Sequence, residues 1–260
     1  MKSNYRQDTH PVMVARLLTV LAAVVMFAAA LVPAQAQTTA FPEPTTFLSA
    51  PAPDTSSSTV AVATGDFNGD GKLDTVNIDS GSRLNLILGN GDGTFQTPIT
   101  LNIAASNFFP QAIAVGDFND DHHSDVLFQN TSSGQVTIWE MEGNTLIGGG
   151  PVSPNPGPAW QAIGTGDFNH DGFSDILFQN ASTGQVSIWE MNGNKLIGGG
   201  PVSPNPGTSW HAIGTDGGSD ILFQNTSGQA SIWDMSGNTL IGGGPVRPSP
   251  GPSWRAVDLT

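Results

Sequence analysis

The chain has 260 residues, with 22 acidic and 8 basic side chains and a formal net charge of −14 at neutral pH. A protein this acidic repels the phosphate backbone of nucleic acids, so nucleic-acid binding is excluded as its function. The 32 glycines and 19 prolines, without any run of helical periodicity, predict an all-β fold.

Residues 1–36 have the pattern of a secretory signal peptide. Three basic residues precede an apolar run over 17–32, and the sequence AQA at 34–36 offers a small-x-small cleavage site. The run is shorter than the about 20 residues that span a bilayer, although an uncleaved anchor remains the alternative. We therefore predict a mature domain over 37–260 that is secreted, periplasmic or at the cell surface, without a membrane span. The absence of cysteine agrees with a secreted fold that metal ions, rather than disulfides, hold together.

After the signal, a lone strand is predicted at 41–49, because this segment resembles 95–103, which ends the first of several repeats. Three acidic loops mark these repeats: DFNGDGKLD at 66–74 (loop 1), DFNDDHHSD at 117–125 (loop 2) and DFNHDGFSD at 167–175 (loop 3). Their first residues, at 66, 117 and 167, are 51 and 50 residues apart.

Each loop has the spacing of a short segment that wraps a hard cation. Oxygen-bearing side chains stand at loop positions 1, 3, 5 and 9, and the main-chain carbonyl of position 7 is a further donor. Calcium takes about six to eight oxygen ligands, which these groups and a water would supply. The sequence therefore predicts about three Ca²⁺ sites per chain. The predicted ligands are Asp66, Asn68, Asp70, Lys72 and Asp74 in loop 1; Asp117, Asn119, Asp121, His123 and Asp125 in loop 2; and Asp167, Asn169, Asp171, Phe173 and Asp175 in loop 3.

An EF-hand is excluded as the source of these loops. It needs a Glu at position 12 and a helix after the loop, but position 12 is Asn77, Phe128 or Phe178, and β-type sequence follows. A row of Asx-rich turns without metal remains the alternative. Loop 2 has His122 at position 6, where the other loops have glycine, so we expect weaker binding there. Its additional carboxylate, Asp120, is expected to point outward.

The spacing of strands within a repeat is typical of a β-propeller blade. A period near 50 residues with four short strands predicts one blade per repeat. In the third repeat we predict strands over 162–168, 175–179, 185–191 and 195–202. The second of these is apolar on both faces, as expected of a strand packed between two neighbouring blades. The third strand places Val186 and Ile188 on one face, with Ser187, Trp189 and Met191 on the other.

The fourth repeat has lost its acidic loop. Aligned on its Ser-Asp, the segment 213–220 lacks the five residues equivalent to 166–170, and only Asp216 and Asp220 remain. Two carboxylates cannot enclose calcium, so no site is predicted there. A lone first strand follows at 254–260. The prediction is therefore about four four-stranded blades plus a split half-blade, arranged as a closed small ring, an open arc or a half-propeller, with a homodimer that completes the ring as a further alternative.

The motif GDFNGDGKLD at 65–74, with LILGNGDGTF at 86–95, resembles the FG-GAP/VCBS repeat family. That family includes the integrin α-subunit propeller and many secreted bacterial proteins. The resemblance covers about residues 41–260 and implies a β-propeller, usually of seven blades, with calcium held between adjacent strands of a blade. Only about four units are present here. The family serves adhesion and recognition and fixes no single function.

Six tryptophans recur in two registers. Trp139, Trp189 and Trp233 lie in the third strand of a blade, and we expect them to be buried between blades. Trp160, Trp210 and Trp254 precede the first strand, and we expect them to be partly exposed, as candidate platforms for a glycan.

The function predicted from the sequence is a secreted calcium-binding propeller that binds an extracellular protein or glycan and catalyses no reaction. The chain has no Cys nucleophile and no G-x-S-x-G motif, and the three loops account for most of its histidines. A carbohydrate-binding lectin and a noncatalytic accessory domain of a secreted hydrolase remain the alternatives.

Overall fold

The computed structural model describes residues 59–81, 83–102, 112–249 and 251–256, and it confirms the all-β fold. Within these residues the strands form four antiparallel sheets of four consecutive strands each, which are the predicted blades. Blade 1 contains β1 (Thr59–Gly65), β2 (Asp74–Asp79), β3 (Arg83–Ile87) and β4 (Ile99–Asn102); blade 2 contains β5 (Ala112–Gly116), β6 (Asp125–Gln129), β7 (Val136–Glu142) and β8 (Thr145–Pro151); blade 3 contains β9 (Trp160–Gly166), β10 (Asp175–Asn180), β11 (Val186–Asn192) and β12 (Lys195–Pro201); blade 4 contains β13 (Trp210–Thr215), β14 (Asp220–Asn225), β15 (Ala230–Ser236) and β16 (Thr239–Pro245).

The predicted strands of the third repeat are confirmed, with small differences at their ends. The first strand starts at Trp160 rather than at residue 162, and it ends at Gly166, directly before loop 3. The predicted signal peptide at 1–36 and the lone strand at 41–49 lie outside the described residues. In the ranges that are described, no helix has the length and hydropathy needed to cross a bilayer.

Neighbouring blades pack face to face through apolar side chains. We call the side of a blade that contacts the next blade in sequence its forward face, and the opposite side its rear face. In blade 3, Leu177 and Ile188 on the forward face pack against blade 4. Ile176 and Phe178 on the rear face pack against blade 2. All four side chains are fully buried, which explains why the sequence of β10 is apolar on both faces.

The blades form an open arc. The first strands of consecutive blades contact each other: β1 contacts β5, β5 contacts β9, and β9 contacts β13. The hydroxyl of Thr165 donates to the carbonyl of Val115, and the hydroxyl of Thr215 donates to the carbonyl of Thr165. At the start of the arc, Val60 and Val62 are 44% and 61% exposed. The closed small ring, which the sequence also allowed, is therefore not formed.

The predicted first strand at 254–260 is not formed over residues 254–256, which have no strand conformation. Residues 257–260 lie outside the described residues. Trp254 and Ala256 nevertheless have hydrogen-bond partners in blade 4. Gln224 of β14 donates from Nε2 to the carbonyl of Trp254 (3.0 Å) and accepts from the N–H of Ala256 (2.9 Å).

Close approach between blades requires glycine at the end of the first strand in blades 1–3. A Cβ placed on Gly166 would lie 2.1 Å from the carbonyl oxygen of Gly218 in blade 4, and backbone atoms cannot turn aside as a side chain can. A Cβ on Gly164, two residues earlier in β9, would lie 3.5 Å from its nearest neighbour, a methyl group of Thr215. The two glycines therefore make a matched pair.

We predict that Gly166→Ala lowers the free energy of unfolding by about 1–3 kcal/mol, because it overpacks the interface between blades 3 and 4. Gly164→Ala should leave it unchanged or slightly raised, because alanine reduces the freedom of the unfolded chain. Denaturant unfolding of both variants measures this difference. Equal stability of the two variants would contradict the close approach of Gly166 and Gly218.

Candidate metal centre

Loops 1–3 connect the first and second strands of blades 1–3, so all three lie at the same end of their blades. Position 1 follows directly after the first strand, and position 9 is the first residue of the second strand. Neighbouring loops are bonded to each other. The carbonyl of Asp66 in loop 1 accepts from the N–H of Ser124 in loop 2 (2.7 Å), and the carbonyl of Asp117 accepts from Ser174 in loop 3 (2.6 Å). The loops therefore form a continuous row.

In loop 1, the side chains at positions 1, 3 and 5 turn toward the loop backbone. Asp66 Oδ1 and Asn68 Oδ1 both accept from the N–H of Asp70, each at 3.1 Å. Asp66 Oδ2 accepts from Gly71 N–H (2.7 Å), and Asp70 Oδ1 accepts from Lys72 N–H (3.0 Å). Since two of these oxygens share one N–H donor, positions 1 and 3 are brought together beside position 5.

Loops 2 and 3 repeat this hydrogen-bond pattern. The N–H of Asp121 donates to position 1 and to position 3 of loop 2, both at 3.2 Å. The N–H of Asp171 does the same in loop 3, at 3.0 and 3.1 Å. The structure thus gathers the predicted ligands at positions 1, 3 and 5 in every loop. Position 7 contributes its N–H to position 5 in each case.

The aspartate at position 9 has a structural role that the sequence analysis missed. Asp125 is fully buried, and its two oxygens accept from the N–H of Phe118 in loop 2 and from the N–H of Met141 in β7, both at 2.8 Å. Asp74 and Asp175 are buried and bonded in the same way. Each carboxylate oxygen retains a second lone pair, so a metal ligand at this position remains a prediction. The sequence carries a signal for this role, since in β6 and β10 the aspartate is followed directly by three apolar residues.

Burial raises the pKa of Asp125 and of Asp175 to about 7 in each case. For Asp125, the negative charges of Asp121 and Asp117 act in the same direction, while the two backbone N–H groups act against it. For Asp175, the neighbouring charge is Asp171. Removal from water disfavours the charged form of a carboxyl group. A divalent cation in either loop would offset that penalty.

The three loops differ at position 5. In loop 1, the ammonium of Lys72 lies 2.9 Å from Asp70 Oδ2, and this contact holds the pKa of the Asp70 carboxyl below its usual value. In loops 2 and 3, the corresponding oxygen accepts instead from the Nδ2 of Asn119 (2.9 Å) or Asn169 (2.8 Å). A cation entering loop 1 would therefore compete with a lysine, which it would not meet in the other two loops.

Loop 2 carries donors that the other loops lack. One donor atom each from Asp117, Asp120 and His122 lies within 4.8 Å of the others. The carboxylate of Asp120 also lies 3.2 Å from the point that a Cβ on Gly172 would occupy in loop 3. The expectation that Asp120 points away from the site is therefore wrong, because its positive φ of 58° turns the side chain over the boundary between loops 2 and 3.

The fourth repeat has a short turn in place of a loop. Asp216 Oδ1 accepts from the N–H groups of Gly218 (3.0 Å) and Asp220 (3.2 Å). Only four residues, 216–219, separate β13 from β14, whereas eight separate the first and second strands in blades 1–3. The absence of a metal site in blade 4 stays a prediction.

The expected burial of Trp139, Trp189 and Trp233 is wrong, whereas the expected partial exposure of Trp160, Trp210 and Trp254 is confirmed. Trp139, Trp189 and Trp233 are half-buried rather than fully buried, with one side against a phenylalanine at centroid distances of 5.2, 5.0 and 4.8 Å. Trp160 and Trp210 are half-buried too, and they pack against the apolar clusters between blades. Trp254 differs from the others, at 46% exposure.

The model of the FG-GAP-like repeat family matches residues 66–128 and 117–178, which contain loops 1–3. No curated protein sequence matches the chain.

Among solved structures, the chain is similar to the Tc holotoxin pore of Photorhabdus luminescens, with 19% identity, a TM-score of 0.46 and coverage of 72% of this chain and 9% of that one. It is also similar to the Dos1 propeller (11% identity, TM-score 0.41, 71% and 46% coverage) and to the C-terminal WD40 domain of Sif2 (15%, 0.39, 75% and 60%). The chain spans 9% to 60% of the length of these structures. Since every TM-score is below 0.5, the fold assignment rests on the sheets of the chain itself.

The bonding of loop 3 predicts that positions 5 and 9 stabilise the protein in different ways. Asp175→Ala leaves two buried N–H donors without an acceptor, so it should lower the free energy of unfolding by about 1–3 kcal/mol or more, with or without calcium. Asp171→Ala should lower it only when calcium is present. Unfolding curves of both variants in calcium and in EDTA test this difference. A loss for Asp175→Ala that disappears in EDTA would contradict the structural role of position 9.

Proposed function

We propose that this chain is a secreted, calcium-binding propeller module, from the match of residues 66–178 to the FG-GAP-like repeat family and from the loop geometry. It binds an extracellular protein or glycan, and it catalyses no reaction. The secreted location is proposed from the signal-like pattern of residues 1–36.

The observation that carries the calcium proposal is the shared bonding of the loops. In each loop, oxygens of positions 1 and 3 accept from the same N–H, at position 5. The position-1 carboxylate is thereby bonded to the backbone of position 5, whose own side chain is a second carboxylate, and like charges held close repel one another until a cation neutralises them. Carboxylate, amide and carbonyl oxygens form the donor set that calcium prefers. Loops 1 and 3 supply such a set without a nitrogen or sulfur ligand.

A binding role is supported by what the rest of the chain lacks for catalysis. Three of the four histidines in the proposed mature domain, His122, His123 and His170, belong to the loops, which leaves His211 as the one histidine outside them. The buried carboxylates of position 9 are bonded to backbone N–H groups. The proposed task of the blades is therefore to hold a surface in shape, and calcium stiffens the row of loops at one end of it.

Calorimetric titration of the chelated protein should find about three calcium ions per chain. Asp66→Ala, Asp117→Ala and Asp167→Ala should each remove one ion from the count, because each removes the position-1 ligand of one loop. Loop 1 should bind more weakly than loop 3, since Lys72 occupies an oxygen of Asp70.

The matched control is Asp216→Ala in the shortened turn of blade 4, which should leave the count unchanged. If neither the wild-type protein nor any variant shows a heat of calcium binding, the proposal is contradicted and the loops are Asx turns without metal. A fourth ion that is lost in Asp216→Ala would also contradict the proposal.

Carbohydrate binding is a second candidate, favoured by one observation at the end of blade 4. A cavity of about 270 Å³ is lined there by Trp254 together with polar side chains that include His211, Gln224 and Arg255. An exposed aromatic face beside hydrogen-bonding groups is suited to a sugar ring. Trp160 and Trp210, the other predicted platforms, pack between blades and do not share this setting.

A glycan array probed with the protein tests the second candidate. Trp254→Ala should abolish any glycan signal without changing stability, because the bonds of Gln224 are made to backbone atoms of residues 254 and 256. Trp210→Ala is the comparison; it should lower stability through lost packing. A glycan signal that survives Trp254→Ala would place carbohydrate binding elsewhere and remove this candidate.

A further inference from the structure

The forward face of blade 4 has the chemistry of an interface between blades but is only partly covered. Its central residues Leu222 and Ile232 are cross-strand neighbours, as Leu177 and Ile188 are in blade 3. In blade 3 these two side chains are fully buried against blade 4. In blade 4 the corresponding pair is only partly buried. Val246 is also only partly buried, whereas its counterpart Val202 is 2% exposed.

A glutamine holds the chain beyond blade 4 in the position of a next first strand. Gln179 of blade 3 donates to the carbonyl of Trp210 (2.9 Å) and accepts from the N–H of Ala212 (3.0 Å), and so fixes β13 of blade 4. Gln129 fixes β9 in the same way. Gln224 makes both bonds to Trp254 and Ala256. Residues 254–256 are thus anchored where the inner strand of a further blade begins.

The other side of each interface carries a Phe and a Trp in contact. These pairs lie on the rear faces of blades 2–4, where every described forward face of a preceding blade packs against one of them. They are Phe128 with Trp139, Phe178 with Trp189 and Phe223 with Trp233. A sheet that covers the forward face of blade 4 should therefore present such a pair.

A second copy of this chain does not offer that surface. On the rear face of blade 1, Asn77 stands at the position of the phenylalanine, and Ile87 at that of the tryptophan. Asn85 Nδ2 donates to Asn77 Oδ1 (3.1 Å), and its own Oδ1 accepts from the hydroxyl of Thr100 (2.7 Å). The start of the arc thus presents a hydrogen-bonded polar surface, whereas the end of the arc presents an apolar one.

We propose that the forward face of blade 4 is a docking site for a β-sheet of another polypeptide that presents a Phe and a Trp, as the rear faces of blades 2–4 do. The sheet packs its aromatic pair on Leu222 and Ile232, beside the anchored residues 254–256. The side chains that meet in this contact are of the same kind as those of the three interfaces within the arc. The polar surface of blade 1 prevents copies of the chain from joining head to tail.

A variant of the full chain supplies the probe. Asn77→Phe, Asn85→Thr and Ile87→Trp together give blade 1 the rear face of blade 2, where Thr137 stands opposite Phe128. Sedimentation velocity should show that the wild-type chain is monomeric, and that the triple variant associates with itself and with fluorescently tagged wild-type chains. Adding Leu222→Gln and Ile232→Thr to the tagged chain should weaken that association about tenfold or more.

Two results would overturn the proposal. One is a folded triple variant, by circular dichroism, that does not bind the wild-type chain. The other is a wild-type dimer that Leu222→Gln and Ile232→Thr dissociate, since a second copy would then cover the face. Val246→Thr, a milder change on the same face, serves as the test if the double substitution fails to fold, and it should weaken association with the triple variant.

Discussion

The buried aspartate at position 9 is the contact on which each loop-bearing blade depends. Its carboxylate accepts one hydrogen bond from the start of the loop and another from the third strand or from the turn that follows it. Asp125 does so with Phe118 and Met141. One side chain thereby fixes the loop, the second strand and the third strand relative to one another. Because it is fully buried, both N–H donors would lose their partner if it were removed. The position-9 carboxylate therefore ties the start of each loop to the strands of its blade.

Packing between blades adds a second constraint, which is steric. Gly65, Gly116 and Gly166 end the first strands of blades 1–3, and a Cβ on any of them would clash with the following blade. The clash involves Ser124 for the first and Ser174 for the second, and these residues also donate backbone bonds to the preceding loop. The close approach that glycine permits and the bond between neighbouring loops are therefore two results of the same geometry.

Much of this architecture could be predicted from the sequence, because a period of about 50 residues and alternation within strands are local signals. The faces of β11 follow from alternation alone, with Val186 toward blade 4 and Trp189 toward blade 2. What the sequence could not give depends on contacts between repeats. The half-burial of the tryptophans depends on how they pack against the apolar clusters between neighbouring blades. The reach of Asp120 toward loop 3 depends on a positive φ at a residue other than glycine. Likewise, an open arc and a closed ring share the same local pattern.

Blade 4 separates what the fold needs from what the loops add. In blades 2 and 3, the N–H of Met141 or Met191 is bonded to the position-9 carboxylate. In blade 4, the N–H of Met235 is bonded instead to the main-chain carbonyl of Ser219, at 3.0 Å. The shortened turn thus satisfies the same donor without the acidic loop, and the sheet retains all four strands. A blade can therefore form without the carboxylates of positions 1 and 5, whose mutual repulsion would otherwise oppose folding. Their presence in blades 1–3 is therefore not required by the sheet itself, and it is the cation proposed for these loops that would offset their repulsion.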